Sequence, residues 1–123
     1  MFDLTDIKAI EDTLFEFKPI VTRHNHNYRQ FNKPERGKNY FIGGDVATGR
    51  SRDYSAFTCM DQAGEEAAIY KGKMDVFKYA TLLMETGKTF NNAMLAPETN
   101  DIGIAVTSKI QEAGYPNLYY SQV

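Results

Sequence analysis

The sequence predicts a mixed α/β fold in which helices pack on a five-stranded sheet. Three segments rich in strand-forming residues come first, separated by the turn-like sequences ATGRSRD and DQAG. Two segments with apolar residues at helical spacing follow, and a strand-like segment comes after each of them. This order, β-β-β-α-β-α-β, is typical of a mixed sheet that begins as an antiparallel meander.

Capping and turn residues set the limits of these elements. Asp75 is expected to cap the first helix and Gly87 to end it, and Gly114 is expected to end the second. The predicted strands cover residues 40–46, 54–60, 66–71, 93–98 and 117–121, and the predicted helices cover residues 75–86 and 101–113. We therefore expect one α/β domain over residues 39–123.

Composition indicates a globular domain and argues against several other classes of protein. The 123 residues are 42% hydrophobic and 24% charged, as expected for one globular domain. The formal net charge of -2 argues against a uniformly basic nucleic-acid-binding protein. Cys59 is the single cysteine, which excludes an internal disulfide, and no apolar run reaches the length of a membrane span. Neither membrane insertion nor export is expected.

Residues 1–38 differ in character from the rest and are predicted to form a separate region. Thr5 and the apolar spacing after it predict an acidic helix at residues 5–17. Residues 18–38 carry six bases and one acid. Residues 20–38 show no sustained period, which predicts a loop or extended arm there. Charge alone leaves two interpretations of this basic segment open, a solvated surface or a strip that binds phosphates.

The first candidate for chemistry is Asp45, at the end of an apolar strand. Gly43 and Gly44 precede it, and glycines inside a strand usually indicate a bulge or the close approach of another group. The carboxylate could cap a loop or bind a divalent cation. Gly49 and Asp53 follow in the next turn. The residues alone leave both interpretations of Asp45 open.

Glu98 closes the strand between the two helices and is the second candidate. A sheet with this order can place its first and fourth strands side by side, so Asp45 and Glu98 could meet at adjacent strand ends. Two neighbouring carboxylates repel each other, and a bound Mg²⁺ or Mn²⁺ removes that repulsion. Such an ion can activate a water and stabilise the leaving oxygen in phosphodiester cleavage.

Several motifs in a fixed order extend this pattern. They are D-x-x-x-G-x-x-x-D-Y at residues 45–54, YKGKMD at 70–75, NNAMLAPETND at 91–101 and AGYPNLY at 113–119. Over residues 39–120 the sequence resembles the nuclease domain of tailed-bacteriophage large terminase subunits. The resemblance implies a ribonuclease H-like fold and the cutting of concatemeric DNA during genome packaging, by two-metal phosphodiester hydrolysis.

The resemblance assigns roles to particular residues. Asp45 and Glu98 correspond to metal-binding catalytic acids, and Asp53 to a further catalytic acid near them, which implies Mg²⁺ or Mn²⁺ as the cofactor. The residues expected to bind DNA are Arg50, Arg52, Lys33, Arg36 and Lys38, and those expected to shape the loops are Gly44, Gly49, Asn100 and Gly103.

Two features depart from the family pattern. Pro97 precedes Glu98 in an expected interior strand, where it removes a hydrogen-bond donor. The family also has a third acidic ligand on a later helix, and the sequence ends at Val123 before such a helix. The fold and the two-metal site are therefore expected to be incomplete at the C-terminus, and the chain alone is expected to cut DNA weakly or not at all.

The resemblance also implies partners. Double-stranded DNA is the implied substrate, in the cytoplasm of a bacterial host, and a portal protein and a small terminase subunit are further implied partners. Without the later helix, one apolar face of the sheet is expected to lack a cover, at a cost of about 25 cal/mol per Å². We expect either the N-terminal helix or a second copy of the chain to cover it.

Two alternatives belong to other functional classes. Actin-like and sugar-kinase-like nucleotide-binding modules begin with a related strand, aspartate and glycine-bearing turn, but this turn carries Arg50, Ser51 and Arg52 rather than a run of glycine and threonine. The other alternative is a non-catalytic prophage remnant that acts in assembly. The sequence contains no phosphate-loop motif of a packaging ATPase.

Overall fold

The computed structural model describes residues 19–45, 54–97 and 101–119. Its strands are β1 (Val21–Arg23), β2 (Tyr28–Gln30), β3 (Tyr40–Asp45), β4 (Ser55–Asp61), β5 (Glu66–Gly72) and β6 (Met94–Pro97), and its helices are α1 (Val76–Thr89) and α2 (Asp101–Glu112). Neither helix of this part of the chain is long and apolar enough to cross a membrane. The predicted helix at residues 5–17 lies outside the described residues.

One mixed sheet organises the fold, with the strand order β1-β2-β5-β4-β3-β6. Strands β3, β4 and β5 form the predicted antiparallel meander, and β6 runs parallel to β3. The predicted fold class and the predicted adjacency of these two strands are therefore confirmed. In the described part of the chain, the last predicted strand is reduced to one parallel bridge between Leu95 and Leu118.

Within the described residues the sheet has six strands rather than the predicted five, because residues 20–38 do not form a simple loop. β1 and β2 pair as an antiparallel hairpin, and β2 extends the sheet by pairing with β5, with Tyr28 opposite Tyr70. Tyr28 and Gln30 are buried, while Arg29 between them is exposed. Of the two predicted alternatives, a loop or an extended arm, the loop is wrong for these strands. Strands of three residues are too short to show a clear alternation of apolar and polar residues. The division of the chain at residue 38 stays a prediction.

Both helices pack on the same face of the sheet, which we call the helix face. Helix α1 begins at its predicted cap, where the Asp75 carboxylate accepts hydrogen bonds from the backbone N–H groups of Phe77 and Lys78 at 3.1 and 3.2 Å. Apolar and aromatic side chains from strands and helices join in one core, which includes Ile42, Phe57, Tyr70, Tyr79, Leu83, Leu95, Val106 and Ile110.

Helix α1 is longer than predicted because Gly87 does not end it. The helix continues to Thr89, and Gly87 is buried within it. A side chain at Gly87 would overlap the hydroxyl of Tyr115, which donates a hydrogen bond of 2.5 Å to the carbonyl of Ala93. Burial raises the pKa of Tyr115 to about 12, so this hydroxyl keeps its proton. Glycine therefore makes room for a ring here instead of forming a helix terminus.

The other face of the sheet, which we call the outer face, carries no helix in the described part of the chain. Alternation along β3 places Phe41 and Gly43 on this face, whereas Tyr40 and Ile42 lie in the core. Phe41 is 40% exposed. A covering segment or a second copy of the chain on this face stays a prediction.

Candidate functional site

The carboxyl ends of β3 and β6 lie side by side. Parallel pairing sets Gly44 opposite Pro97. Asp45 is the last residue of β3, and Glu98, directly after β6, lies outside the described residues. The backbone thus brings the segments that carry the two predicted acids to one end of the sheet. We call this the carboxyl end, and we call the end at Tyr40 the amino end.

Gly44 lies inside β3, where the missing side chain makes room for helix α1. A Cβ atom built at Gly44 would overlap the Tyr79 hydroxyl and would lie 3.1 Å from the carbonyl oxygen of Ala56. The Tyr79 hydroxyl donates a hydrogen bond of 2.7 Å to that carbonyl. This contact ties α1 to the sheet one residue before Asp45. The groups that approach Gly44 are thus the Tyr79 side chain and the Ala56 backbone carbonyl, and the role of Gly44 in shaping the loop stays a prediction.

Pro97 is compatible with the parallel pair because its missing donor faces away from β3. The backbone N–H of Leu95 donates to Asn117 and its carbonyl accepts from Tyr119, at 2.9 and 2.8 Å. Residues two apart in a strand direct their backbone groups to the same side. Pro97 therefore directs its nitrogen away from β3, so the missing donor does not weaken the β3 to β6 pairing.

Three bases expected to bind DNA, Lys33, Arg36 and Lys38, precede β3 at the amino end, away from Asp45. Lys38 contacts Asp61, which pairs with Tyr40 at the start of β3. The six residues of β3 extend over about 17 Å at the usual rise per strand residue. Lys33 and Arg36 are exposed and also precede β3. The structure does not bring these bases together with the acids, and their DNA-binding role stays a prediction.

Most of the remaining residues predicted for the site lie outside the described part of the chain. Gly103 belongs to α2. The residues outside the described part of the chain are Gly49, Arg50, Arg52, Asp53, Glu98 and Asn100. Their roles stay predictions.

The charged groups of the amino end bind one another and the backbone. Asp61 accepts hydrogen bonds from the backbone N–H groups of Ala63 and Glu65 at 2.9 and 3.0 Å, which closes the β4 to β5 turn. Lys38 lies 3.3 Å from Asp61 and 2.9 Å from Glu35. The backbone hydrogen bond from Glu65 contributes most to lowering the pKa of Asp61. The backbone hydrogen bond from Ala63 and the side-chain hydrogen bond from Lys38 lower it further. These charges stabilise the turn.

A second group of bases, not assigned from the sequence, lies at the carboxyl end. Lys71 is in β5 opposite Ala56, which in turn pairs with Asp45. The ammonium groups of Lys71 and Lys73 lie 6.0 and 5.6 Å from the centre of the Tyr54 ring. The YKGKMD and D-x-x-x-G-x-x-x-D-Y motifs contain all three residues. Only the strand register shows that they form one surface.

Other reactive side chains do not complete a site. Across residues 19–45, 54–97 and 101–119, no three histidine, cysteine, aspartate or glutamate side chains lie close enough together to hold a metal ion. Cys59 is fully buried, and burial raises the pKa of its thiol to about 12, which keeps it neutral and unreactive.

Comparison with solved structures identifies the architecture. The large terminase nuclease from thermophilic phage G20c, solved with bound magnesium, matches with a TM-score of 0.68 and 18% identity over 88% of this chain and 57% of that chain. The large terminase nuclease domain of Thermus phage P74-26 matches with a TM-score of 0.64 and 17% identity over 88% of this chain and 55% of that chain. The chain has the fold of a phage large terminase nuclease.

This chain matches only part of each solved terminase nuclease, and the sequence identity is low. The G20c nuclease was also solved with bound zinc, and that structure matches with a TM-score of 0.67, 17% identity and coverage of 88% of this chain and 63% of that chain. This chain thus spans between 55% and 63% of the solved terminase nucleases described here. No protein-family model and no curated protein matches the sequence. The ribonuclease H-like architecture implied by the motifs is confirmed at the level of the fold.

Proposed function

We propose that the chain belongs to a metal-dependent DNA endonuclease of the phage terminase type. The observation that carries the proposal is the parallel register of β3 and β6, with Gly44 opposite Pro97. The next residue after each of these is an acid, Asp45 or Glu98. The fold shared with terminase nucleases, one of them solved with magnesium, supports the same function.

Strand alternation favours the same face for both acids. Gly44 and Pro97 belong to the helix face, since Tyr79 fills the space at Gly44 and Pro97 is buried. The next position along a strand changes to the opposite face. Continued by one residue, β6 would set position 98 beside position 45 on the outer face. Two carboxylates on one face can share an ion, whereas carboxylates on opposite faces cannot.

The donors at these positions fit a hard divalent cation. Asp45 and Glu98 would hold Mg²⁺ or Mn²⁺ through carboxylate oxygens, which these ions prefer, and Asp53 would supply a further acid. When bound, the ion would lower the pKa of a water molecule and balance the charge that develops on the phosphate.

The fold positions the end of β3 and leaves open space beside it. The hydrogen bond from Tyr79 to Ala56, which pairs with Asp45, fixes β4 beside the end of β3. On the outer face, a Cβ atom built at Gly43 would meet no atom within 4 Å, which leaves room for a phosphodiester beside Asp45. A strand end next to open space suits a cleavage site for a large polymer.

Genome packaging is the context in which we place this activity, with double-stranded DNA as substrate. The nucleotide-binding alternative is not favoured, because the solved structures that match are nucleases. A portal protein and a small terminase subunit would be the partners of such an enzyme in the host cytoplasm.

The test is substitution of each acid with its amide. The unmodified chain alone is expected to nick plasmid DNA weakly at most in Mg²⁺ or Mn²⁺, and Asp45→Asn and Glu98→Gln should each abolish that nicking, because each removes a ligand charge. Mn²⁺ binding followed by electron paramagnetic resonance should weaken in the same two variants, which gives a readout that does not depend on turnover.

Glu66→Gln is the matched control because Glu66 is an exposed acid at the start of β5, near the amino end. This variant should bind Mn²⁺ and nick DNA as the unmodified chain does. Nicking that continues in excess EDTA, or Mn²⁺ binding unchanged in Asp45→Asn and Glu98→Gln, would contradict the proposal.

A further inference from the structure

We propose that Tyr54, Lys71 and Lys73 form a DNA-docking surface that holds the backbone of the substrate beside the acids. We call these three residues the Tyr54 platform. The inference rests on the proposed nuclease function and adds to it the residues that receive the phosphates. It differs from the predicted basic strip, whose lysine at position 38 contacts Asp61 and Glu35 at the amino end.

The Tyr54 platform concentrates positive charge on an exposed ring. Tyr54 is 54% exposed, and both lysines are exposed. Their ammonium groups lie 6.0 and 5.6 Å from the ring centre, within the range of a cation–π interaction. The ring holds both charges near one point although they repel each other. An anion such as a phosphate would relieve that repulsion, and the ring would offer an apolar surface to a sugar or base.

The strand register places Lys71 of the platform in one row with Asp45. Ala56 pairs with Asp45 on one side and with Lys71 on the other, so the three positions form a row across β3, β4 and β5. Tyr70 and Gly72 on either side of Lys71 are buried, which assigns Lys71 to the outer face. Two strand spacings separate Lys71 from Asp45, about 10 Å between Cα atoms.

This distance suits a single polymer strand. Successive phosphates of one DNA strand advance by about 3.4 Å along the helix axis. A backbone held at Lys71 would therefore reach the acids within about three nucleotides, before the length of the lysine side chain is considered. A phosphate bound at the platform would position the next phosphates of the same strand over the strand ends.

The lysines of the platform are not engaged in holding the fold together. In the part of the chain that the structure describes, the ion pairs all involve Lys38, and no carboxylate forms one with Lys71 or Lys73. The exposed position of both side chains means that replacement should leave the core unchanged. Their charge is therefore available to a ligand.

The experiment compares the double variant Lys71→Gln/Lys73→Gln with the double variant Lys78→Gln/Lys88→Gln. The second pair removes the same charge from exposed positions on helix α1, which packs on the other face of the sheet. Binding of a fluorescein-labelled DNA duplex is followed by anisotropy in EDTA at several salt concentrations. EDTA separates docking from metal-dependent cleavage, so the two proposals are tested independently.

The platform variant should bind DNA more weakly, and the slope of log Kd against log salt should fall by about 2, one for each lost phosphate contact. The helix variant should keep the slope of the unmodified chain. Equal slopes in both variants would overturn the inference while leaving the nuclease proposal intact. Failure of the unmodified chain to bind duplex DNA would overturn both.

Tyr54→Phe and Tyr54→Ala add a test of the ring. The phenylalanine variant keeps the aromatic face and should bind as the unmodified chain does, whereas the alanine variant should lose affinity and part of the salt dependence because the lysines are no longer held together. Identical binding by the two tyrosine variants would show that the ring has no part in docking.

Discussion

The two ends of strand β3 use charged residues in opposite ways. At the amino end, Lys38 contacts Asp61 and Glu35, and Asp61 also accepts two backbone hydrogen bonds. At the carboxyl end, Lys71 and Lys73 lie against the exposed ring of Tyr54. The charges of the first group are paired within the protein. The lysine charges of the second group are exposed to solvent.

This difference shows why the number of bases in a segment is a poor guide to what they bind. Residues 18–38 carry the denser run of bases in the sequence, yet Lys38, within that run, is held by two carboxylates. Lys71 and Lys73 are only two bases, but Lys71 lies in one row with Asp45 across the sheet. Proximity to the acids across the sheet, rather than density along the chain, indicates the docking surface.

The largest expected effect on stability concerns the carboxyl end itself. Gly44→Ala would force the new Cβ against the Tyr79 hydroxyl and disrupt its hydrogen bond to Ala56. Overpacking and the loss of this hydrogen bond together should reduce the free energy of unfolding by about 2 to 4 kcal/mol, measured by urea denaturation.

Gly43→Ala is the matched control for this change. Its Cβ atom would face open space on the outer face, so the free energy of unfolding should change by no more than about 0.5 kcal/mol. An equal loss of stability in both variants would contradict the tight packing at Gly44 and the open space at Gly43.

A smaller effect is expected from Asp61→Asn at the amino end, and it should depend on pH. Because the pKa of Asp61 is lowered in the folded chain, its carboxylate stabilises the fold above the usual aspartate pKa of about 4. That contribution is lost as the pH falls through the lower folded pKa. Thermal unfolding at a series of pH values should show a Tm difference between the two chains near pH 6 that shrinks towards pH 2.

Glu112→Gln removes an exposed acid at the end of α2 and serves as the control for charge alone. Its Tm should follow that of the unmodified chain at every pH. A constant Tm difference between Asp61→Asn and the unmodified chain across the whole pH range would contradict an electrostatic role for Asp61.

The smallest effect is expected for DNA binding by Lys38→Gln. The Lys38 ammonium group is held by Glu35 and Asp61, so its charge is already balanced before DNA arrives. DNA affinity should therefore stay within about twofold of the unmodified chain, measured by the same anisotropy assay. A loss as large as that of Lys71→Gln would show that the two ends of β3 contribute alike.

Much of the fold could be predicted because its signals are local. The alternation in β4 and β5, the Asp75 cap and the spacing of α1 all lie within single elements. The hairpin of β1 and β2 could not be predicted in this way, since its short strands are fixed by pairing with β5. The prediction that Gly87 ends the helix failed for the same reason. The ring that occupies the space beside Gly87 belongs to Tyr115, which is distant in the sequence.

The candidate site likewise has a part that could be predicted from the sequence and a part that depends on contacts between distant segments. The position of Asp45 at a strand end, and the adjacency of its strand to β6, follow from element order and are confirmed for the backbone. The Tyr54 platform depends on the register between β4 and β5, which shifts at Cys59 and Met60. Such a shift leaves no signal along the chain, and the sequence therefore could not show which lysines lie beside Asp45.

The parallel pairing of β3 and β6 also has a consequence for how the chain folds. Gly44 and Pro97 are more than fifty residues apart, and two strands and a helix must be traversed between them. Contacts of such long range form slowly, because the entropy of closing a long loop is lost before the contact is gained. The acids that follow these residues can therefore be aligned only when the sheet is almost complete. Under the proposed function, a partly folded nascent chain would therefore lack an aligned pair of acids.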